Sequence, residues 1–560
     1  MMSIPLFYLY PCLSLISVSI CRCFSKVLLL NKKQGEVPDL LQIEGGIQPG
    51  ASREVSQKTG VPEAHVYGVG SFFNMLARPD KKVRVCTGLS CRMAGADQIL
   101  QAMEDAGMPV EGCSCLAACD VPPAVLRDRD TLPAVSIADV ENAKGDWTQI
   151  RSHVAPDSQN WHGHVGPEVD DPEHLSINLL GKPDYSAQAF QKAQTQTPED
   201  IIKTLETSGL QGRGGAGFPA FFKWNAVRSQ QDPVRYVVLN GDESEPGTFK
   251  DREILMRRPD LIIEGLAIAA HAVGAKDVYL YLRGEFAFPR YVKEQALKEF
   301  QKRNAFPDIN FHFHEGQGAY ICGEETALLE ALEGKRGMPR LRPPYPTEYG
   351  LWGKPTLIHN VETVACIPSI IQRGGDWFRE LGKTEAGPKV YCISGHVQKP
   401  GIYELPLGIT LDELVEEAGG YIGNLKTFSP GGASSGFLPA KYRNVPLDFK
   451  NMKELGSLLG SAGVVVLNDT VNIKWAVSQQ LRFFEDESCG QCAPCRIGTR
   501  YLHEAMEANI QNTEQNNKPH LRHTDDVAWQ MREGSICGLG QIASLPLTSA
   551  QKFFPEEFNA

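Results

Sequence analysis
In residues 487–499, ESCGQCAPCRIGT, the cysteines Cys489, Cys492 and Cys495 stand two residues apart. Three thiolates on one turn of loop suit three corners of a cubane, and Pro494 stiffens the last step. The fourth ligand must come from elsewhere. Cys537, in SICGLGQIAS, is the only later cysteine, and its glycines let backbone approach a bound group closely. Zinc is the competing occupant, and a loop without metal the third reading. Four-cysteine zinc sites usually draw on two separated pairs rather than a triple, which favours a [4Fe-4S] cluster here.

A second cysteine group runs Cys86-x4-Cys91, then Cys115-x3-Cys119 after a helix-length gap. Two pairs on two loops match the two irons of a [2Fe-2S] centre, although zinc accepts similar spacing. Cys113 either replaces Cys115 or is a buried spare thiol. Three further stretches carry other chemistry. In GLQGRGGAGFP, Gly212, Gly214, Gly215 and Gly217 free backbone N–H groups to meet an anion, with Arg213 and, further on, Lys223 supplying charge. A plain glycine-rich turn is the alternative. NGDESEPGTFKDR offers Asn240, Asp242, Glu243 and Glu245 where a strand ends, the usual ligand edge of an α/β sheet; a solvated acidic turn balanced by Lys250 and Arg252 competes. GAYICGEETALLEALEGKRG sets Tyr320, Glu324 and Glu325 before a helix, where carboxylates often serve only the helix dipole.

Positioning these groups takes several domains. The chain has 560 residues, more than one core accommodates, and its net charge of -11 makes nucleic acid or an anionic membrane a poor partner. Nine of fifteen cysteines are clustered, which fits metal sites better than a disulfide framework. Residues 1–35 form an apolar leader without a basic start, read as an upstream extension, a targeting segment or, last, an anchor. Residues 36–150 read as a helical segment and a small α/β unit: KKVRVC as a strand, MAGADQILQAMEDAG as a helix, PPAVLRD as a strand. Residues 151–195 read as a linker, whose histidines we do not assign to a metal. Over 196–387, RYVVLN, PDLIIEGLAIAAHAVGA and DVYLYLR alternate strand, helix and strand under a parallel or mixed sheet. Residues 388–470 open with a hairpin-like KVYCISGHVQKPGIYELP, and 471–560 are helical.

Taken together and in this order, GRGGAGFP, DESEPGTFKDR, GAYICGEETALLEALEG, NVET, ESCGQCAPCRIGT and SICGLGQ resemble the flavin subunit of respiratory complex I and of the soluble formate dehydrogenases and hydrogenases built on the same module. The segment before them is similar to its thioredoxin-like [2Fe-2S] partner. The resemblance implies a multidomain α/β chain: a thioredoxin-like ferredoxin domain, a Rossmann-like FMN/NAD domain, a ubiquitin-like β-grasp domain and a C-terminal helical bundle. It implies FMN held by Gly212, Arg213, Gly214, Gly215, Gly217 and Lys223, with Asn240, Asp242, Tyr320 and Asn360 around its rings and chain. Phe218, Glu245 and Glu325 would face the dinucleotide, Glu324 is a further cofactor-binding residue, and a carboxylate at Glu325 repels a 2'-phosphate, favouring NAD over NADP. Cys489, Cys492, Cys495 and Cys537 would hold [4Fe-4S]; Cys86, Cys91, Cys115 and Cys119 would hold [2Fe-2S]. Gln211, His359, Arg342 and Tyr345 depart from the usual residues, and only Gln211 loses a charge.

The implied activity is that of a diaphorase: hydride exchange between NAD(H) and FMN, then single electrons through the clusters. The fused front domain and the stretch GGASSGFLPA most resemble the β subunit of NAD-dependent formate dehydrogenases, which implies a place in the cytoplasm beside a molybdenum or tungsten α subunit or an equivalent iron-sulfur subunit, without direct membrane contact. A complex I or hydrogenase subunit is the alternative, and a non-catalytic zinc scaffold the reading from another class.

Overall fold
The computed structural model describes residues 33–152, 163–168, 173–511 and 520–558. Most of the expected leader lies outside these residues. Three short helices, Val37–Ile43, Ala51–Thr59 and Glu63–Gly70, pack together ahead of a four-stranded sheet. Its strands are β1 (Val83–Cys86), β2 (Val110–Cys113), β3 (Val125–Arg127) and β4 (Asp130–Leu132), in the order β2-β1-β3-β4. β1 and β2 run parallel, joined through the helix Ala96–Asp105, and β3 returns antiparallel. The expected single helix after Cys86 is broken at Ala94 and Gly95, where Gly95 takes φ 96°, so Cys91 sits in its own short helix Leu89–Met93.

The segment read as a linker builds structure at both ends. β5 (His164–Gly166) joins a distant sheet, and the helix Gln188–Gln194 buries Ala189, Phe190 and Ala193 against the flavin-side helices. A three-residue strand is too short to show alternation, so the residues themselves carry no signal for it. The histidines of this stretch fall partly outside the described residues; His164 lies in β5.

Next come β6 (Tyr236–Gly241), β7 (Asp277–Leu282), β8 (Asn310–Glu315) and β9 (Thr356–Asn360), an all-parallel sheet in the order β8-β7-β6-β9. The helix Pro259–Val273 is apolar nearly all round and buried accordingly, with proline in its first turn and Gly274 closing it at φ 74°. Parallel strands present all their C-terminal ends on one edge, where Asn240 of β6 and Asn360 of β9 lie side by side in register.

The strands β10 (Pro388–Gly395), β11 (Gly401–Pro406), β12 (Leu425–Ser429), β13 (Leu438–Pro439) and β14 (Gly463–Asn468) complete a six-stranded sheet ordered β13-β12-β14-β10-β11-β5. β10 and β11 form the expected antiparallel pair, and β5 adds in parallel at the edge. The helices Ile473–Glu487, Ala493–Ile510, Thr524–Gly534 and Leu545–Phe553 form the C-terminal bundle. One core connects distant units: Val37, Leu41 and Phe73 share a cluster with Ile321, Leu328 and Leu481. No helix among the described residues is long and apolar enough to cross a membrane.

Candidate functional site
At the C-terminal edge of the parallel sheet a cleft of about 800 Å³ opens, walled by three chain segments of the sequence motifs and by the later domains. Gly214, Gly215 and Ala216 form one wall. Gly217, at φ 63° and packed against the Phe449 ring, needs glycine, and a Cβ on Gly214 would come 3.0 Å from that of Asn360, leaving little room. The loop is closed by the Gly212 N–H donating to the Phe218 carbonyl at 2.8 Å. Arg213 stands behind this loop rather than in the wall. It is fully buried, its N–H donates to Thr363 Oγ1 at 2.8 Å and its Nη2 to the Ala386 carbonyl at 2.8 Å. Nε and Nη1 have no partner among the described residues. Phe218 is half exposed and meets Phe222 edge to face. Lys223 donates to Glu325 Oε2 at 2.7 Å, and Arg342 approaches the other oxygen at 3.4 Å, so these two cations and Glu325 form a group beside the cleft.

The acidic loop divides its work. Asn240 Nδ2 donates to the Gly323 carbonyl at 2.9 Å, tying the loop after β6 to the turn before the helix Glu325–Leu332. Asp242 lines the cleft; Oδ1 accepts from Ser244, Oδ2 has no partner among the described residues, and burial pushes its carboxyl up to about 7. Glu243 is structural: it accepts from the Asp251 and Arg252 N–H groups at 2.8 and 2.9 Å, satisfying the start of the helix Lys250–Arg257. Glu245 accepts from the Tyr320 hydroxyl at 2.6 Å and from the Ser434 N–H at 2.8 Å. Glu324 does act as the dipole partner, accepting from Thr326 and Ala327 N–H at 2.9 Å, while also facing the cleft. Asn360 links Lys250 (3.2 Å) and Asp251 (2.6 Å), and Lys250 is held in a buried ion network with Asp251 and Glu362.

Sequence reasoning missed a further wall, which packs against the glycine loop at Gly215 and Gly217. Glu385, just before β10, and Phe449, Lys450, Lys453, Gly460 and Ser461, between β13 and β14, close the cleft. Lys450 and Lys453 have no ion-pair partner among the described residues, unlike Lys223 and Lys250. The glycines of LGSLLGSAG were the available signal, since close backbone approach needs them.

The cysteines gather into two sites. Cys86, Cys91, Cys115 and Cys119 are all buried, and the sulfurs of Cys115 and Cys119 are 3.6 Å apart. Two thiolates on one tetrahedral metal at about 2.3 Å stand roughly 3.8 Å apart, so this pair fits an iron or zinc ion. The hydrogen bond to Cys115, then burial, push the free Cys119 thiol up, so thiolate binding needs a compensating metal charge. Cys113 is half-buried and faces Cys86 across β1 and β2; Cys115, not Cys113, is the partner beside Cys119. At the other site Cys489 and Cys492 are half-exposed while Cys495 and Cys537 are buried, and burial pushes their thiols up to about 12 and about 11. Among the described residues no group of three or more His, Cys, Asp or Glu side chains is placed to hold a single metal ion.

Comparison with known proteins covers every unit. Residues 36–144 match the thioredoxin-like [2Fe-2S] ferredoxin, 205–369 the Nuo51 FMN-binding domain, 390–438 the SLBB domain and 475–560 the NADH-ubiquinone oxidoreductase-F iron-sulfur binding region. The NADH-quinone oxidoreductase F-subunit 2 of Rhizobium meliloti (strain 1021) is 45% identical over 380 residues, 65% of this chain and 89% of that protein. The NADH-quinone oxidoreductase F-subunit of Rickettsia felis (strain ATCC VR-1525 / URRWXCal2) is 44% identical over 372 residues, 64% and 88% of the two chains. A chain of an NAD+-reducing [NiFe]-hydrogenase in the H2-reduced state superposes with TM-score 0.84 at 30% identity, covering 94% of this chain and 92% of its own. The expected multidomain α/β architecture and the FMN, [2Fe-2S] and [4Fe-4S] domains are therefore present.

Proposed function
Since the chain belongs to the family of NADH-quinone oxidoreductase F-subunits, we propose that it is the flavin subunit of an NAD-linked oxidoreductase complex, moving hydride between NAD(H) and FMN and electrons through two iron-sulfur centres. One observation carries this reading: the glycine loop, the acidic loop and the GEE turn, far apart in sequence, wall a single cleft whose lining runs to Gly538, next to Cys537. Bound FMN supplies the conversion of a two-electron hydride into single electrons. The chain's own part is binding, orientation and shielding.

Gly214 and Gly215 bring backbone close to a flavin phosphate, and Gly212 and Gly217 give the loop its shape. Arg213 acts from behind, bracing the loop, so the phosphate charge is met by Lys450 and Lys453, which line the same cleft. Asn240, Asp242, Tyr320 and Asn360 set the polar edge for the flavin, Asp242 with a free oxygen to accept a hydrogen bond. Glu245 holds the Tyr320 hydroxyl in place, and Glu324 faces the same space. Phe218 offers a ledge for the dinucleotide. Glu325, held by Lys223, stands for the adenosine ribose and disfavours a 2'-phosphate. Cys86, Cys91, Cys115 and Cys119 hold [2Fe-2S], and Cys489, Cys492, Cys495 and Cys537 hold [4Fe-4S].

For the parent assembly, the fused front domain supports a cytoplasmic NAD-dependent formate dehydrogenase with a molybdenum or tungsten α subunit. The likeness over 94% of the chain to a hydrogenase chain supports a second reading, a hydrogenase diaphorase subunit. Anaerobic purification with native partners, metal and flavin analysis and NADH-dependent dye reduction test this. Roughly six irons, one FMN and dye reduction are expected. Molybdenum or tungsten selects the first assembly and nickel the second. Zinc without flavin, in folded and inactive protein, overturns the reading.

A further inference from the structure
The helix Ile473–Glu487 ends on a carboxylate in an unfavourable place. Glu487 is 7% exposed, and no cation lies within ion-pair distance of it among the described residues. It also occupies the last helical position, where the macrodipole repels negative charge. Burial without a counter-ion and the wrong helix end both cost stability, and an apolar side chain would fill the space more cheaply.

What the carboxylate has instead is two partners from two other units. One oxygen accepts from the Ser114 hydroxyl, between Cys113 and Cys115. The other accepts from the Tyr320 N–H at 2.9 Å, on the wall of the flavin cleft. Two residues on stands Cys489. The loop that Glu487 touches is gripped from the flavin side as well: Arg283 Nη2 donates to the Cys115 carbonyl at 2.7 Å, and Arg252 to the Ala117 carbonyl at 2.6 Å. The same helix meets the N-terminal unit again where Arg92 donates to Gln479. That contact reaches the segment of Cys91, but not the flavin cleft or the loop of Cys115 and Cys119.

We propose that Glu487 is a positioning residue that registers the [2Fe-2S] loop, the flavin cleft and the [4Fe-4S] loop against one another, fixing the separations over which electrons pass. This rests on the functional reading above. Its chemistry makes a clean test, because glutamine keeps both contacts: its oxygen accepts from the Tyr320 N–H and its amide donates to Ser114 Oγ. Alanine keeps neither, and Ser114→Ala cuts only the link to the [2Fe-2S] loop.

The experiment compares anaerobically purified holoprotein with Glu487→Ala, Glu487→Gln and Ser114→Ala. Readouts are amide hydrogen exchange over residues 113–120, the low-temperature EPR line shape of the [2Fe-2S] centre, its rate of reduction by NADH, and KM for NADH in dye reduction. Glu487→Ala and Ser114→Ala should raise exchange on the order of tenfold, the effect of one lost buried hydrogen bond. Both should broaden the EPR signal and slow reduction of that centre severalfold, Ser114→Ala leaving KM for NADH unchanged. Glu487→Gln should restore wild-type line shape and rate. Wild-type line shape and reduction rate in Ser114→Ala, or a Glu487→Gln as impaired as Glu487→Ala, overturn the proposal. If Glu487→Ala does not fold, Ser114→Ala and Glu487→Gln decide. Wild-type protein that reduces no dye and holds no flavin instead refutes the functional reading itself.

Discussion
The two cysteine sites differ in where they face. The N-terminal four are buried to the last sulfur and pressed against the flavin domain by Arg252 and Arg283. The C-terminal four are graded: Cys495 and Cys537 lie inside, while Cys489 and Cys492 reach towards solvent. A centre enclosed on every side exchanges electrons only with its neighbours in the chain; one with an open edge can serve an outside partner. The first site therefore suits storage, and the second suits exit.

The strongest way to break this contrast is to remove one site at a time. Cys495→Ser should lose the C-terminal cluster, roughly four of roughly six irons, and cut electron delivery to partner subunits, while Cys91→Ser should lose only the smaller share; iron analysis and EPR read both. In the unaltered protein a ferrous chelator should strip the C-terminal site first. Loss of the enclosed site first would reverse the assignment.

Next in size is the enclosure itself. Arg252→Met leaves Asp120 buried without its cation, and breaking such a pair costs about 3–5 kcal/mol. Urea unfolding should show the loss, and hydrogen exchange should concentrate it in residues 83–132. A uniform loosening would mean that the N-terminal unit is not separately docked.

The cleft supplies a pH test. Asp242 is raised to about 7 in the folded protein against an ordinary 3.8, so the folded state binds more protons between these values. Stability of the flavin-free protein should fall as pH rises from about 4 to about 7, by a few kcal/mol at most, and Asp242→Asn should flatten that slope in thermal melts. The smallest effect belongs to the exposed side of the cleft. Lys450→Ala and Lys453→Ala should each weaken flavin retention or raise KM for NADH by no more than about fivefold, as an exposed contact worth about 0.2–1 kcal/mol does.

Much of this was legible in the chain. Apolar runs announced β6, β7 and the helix Pro259–Val273, because a sheet covered on both faces needs continuous hydrophobic segments. Residue types marked both cysteine sites and the three cleft motifs. What stayed hidden was direction and adjacency. Glycine spacing says that a loop can approach an anion, but not that Arg213 turns away from it towards the Ala386 carbonyl. Periodicity within a segment cannot reveal that Phe449 packs on Gly217, or that Glu487 spans to Ser114, since these contacts join residues remote in sequence.

β5 ties the order of synthesis to the order of assembly. Its partner β11 emerges only after the whole flavin domain, roughly ten to fifty seconds later at ordinary elongation rates. Until then His164–Gly166 lacks the partner it pairs with in the folded chain. A chain cut between β5 and β6 would leave β11 as a bare sheet edge, a template for self-association, so the fusion of the two halves also shields the growing protein from its own neighbours.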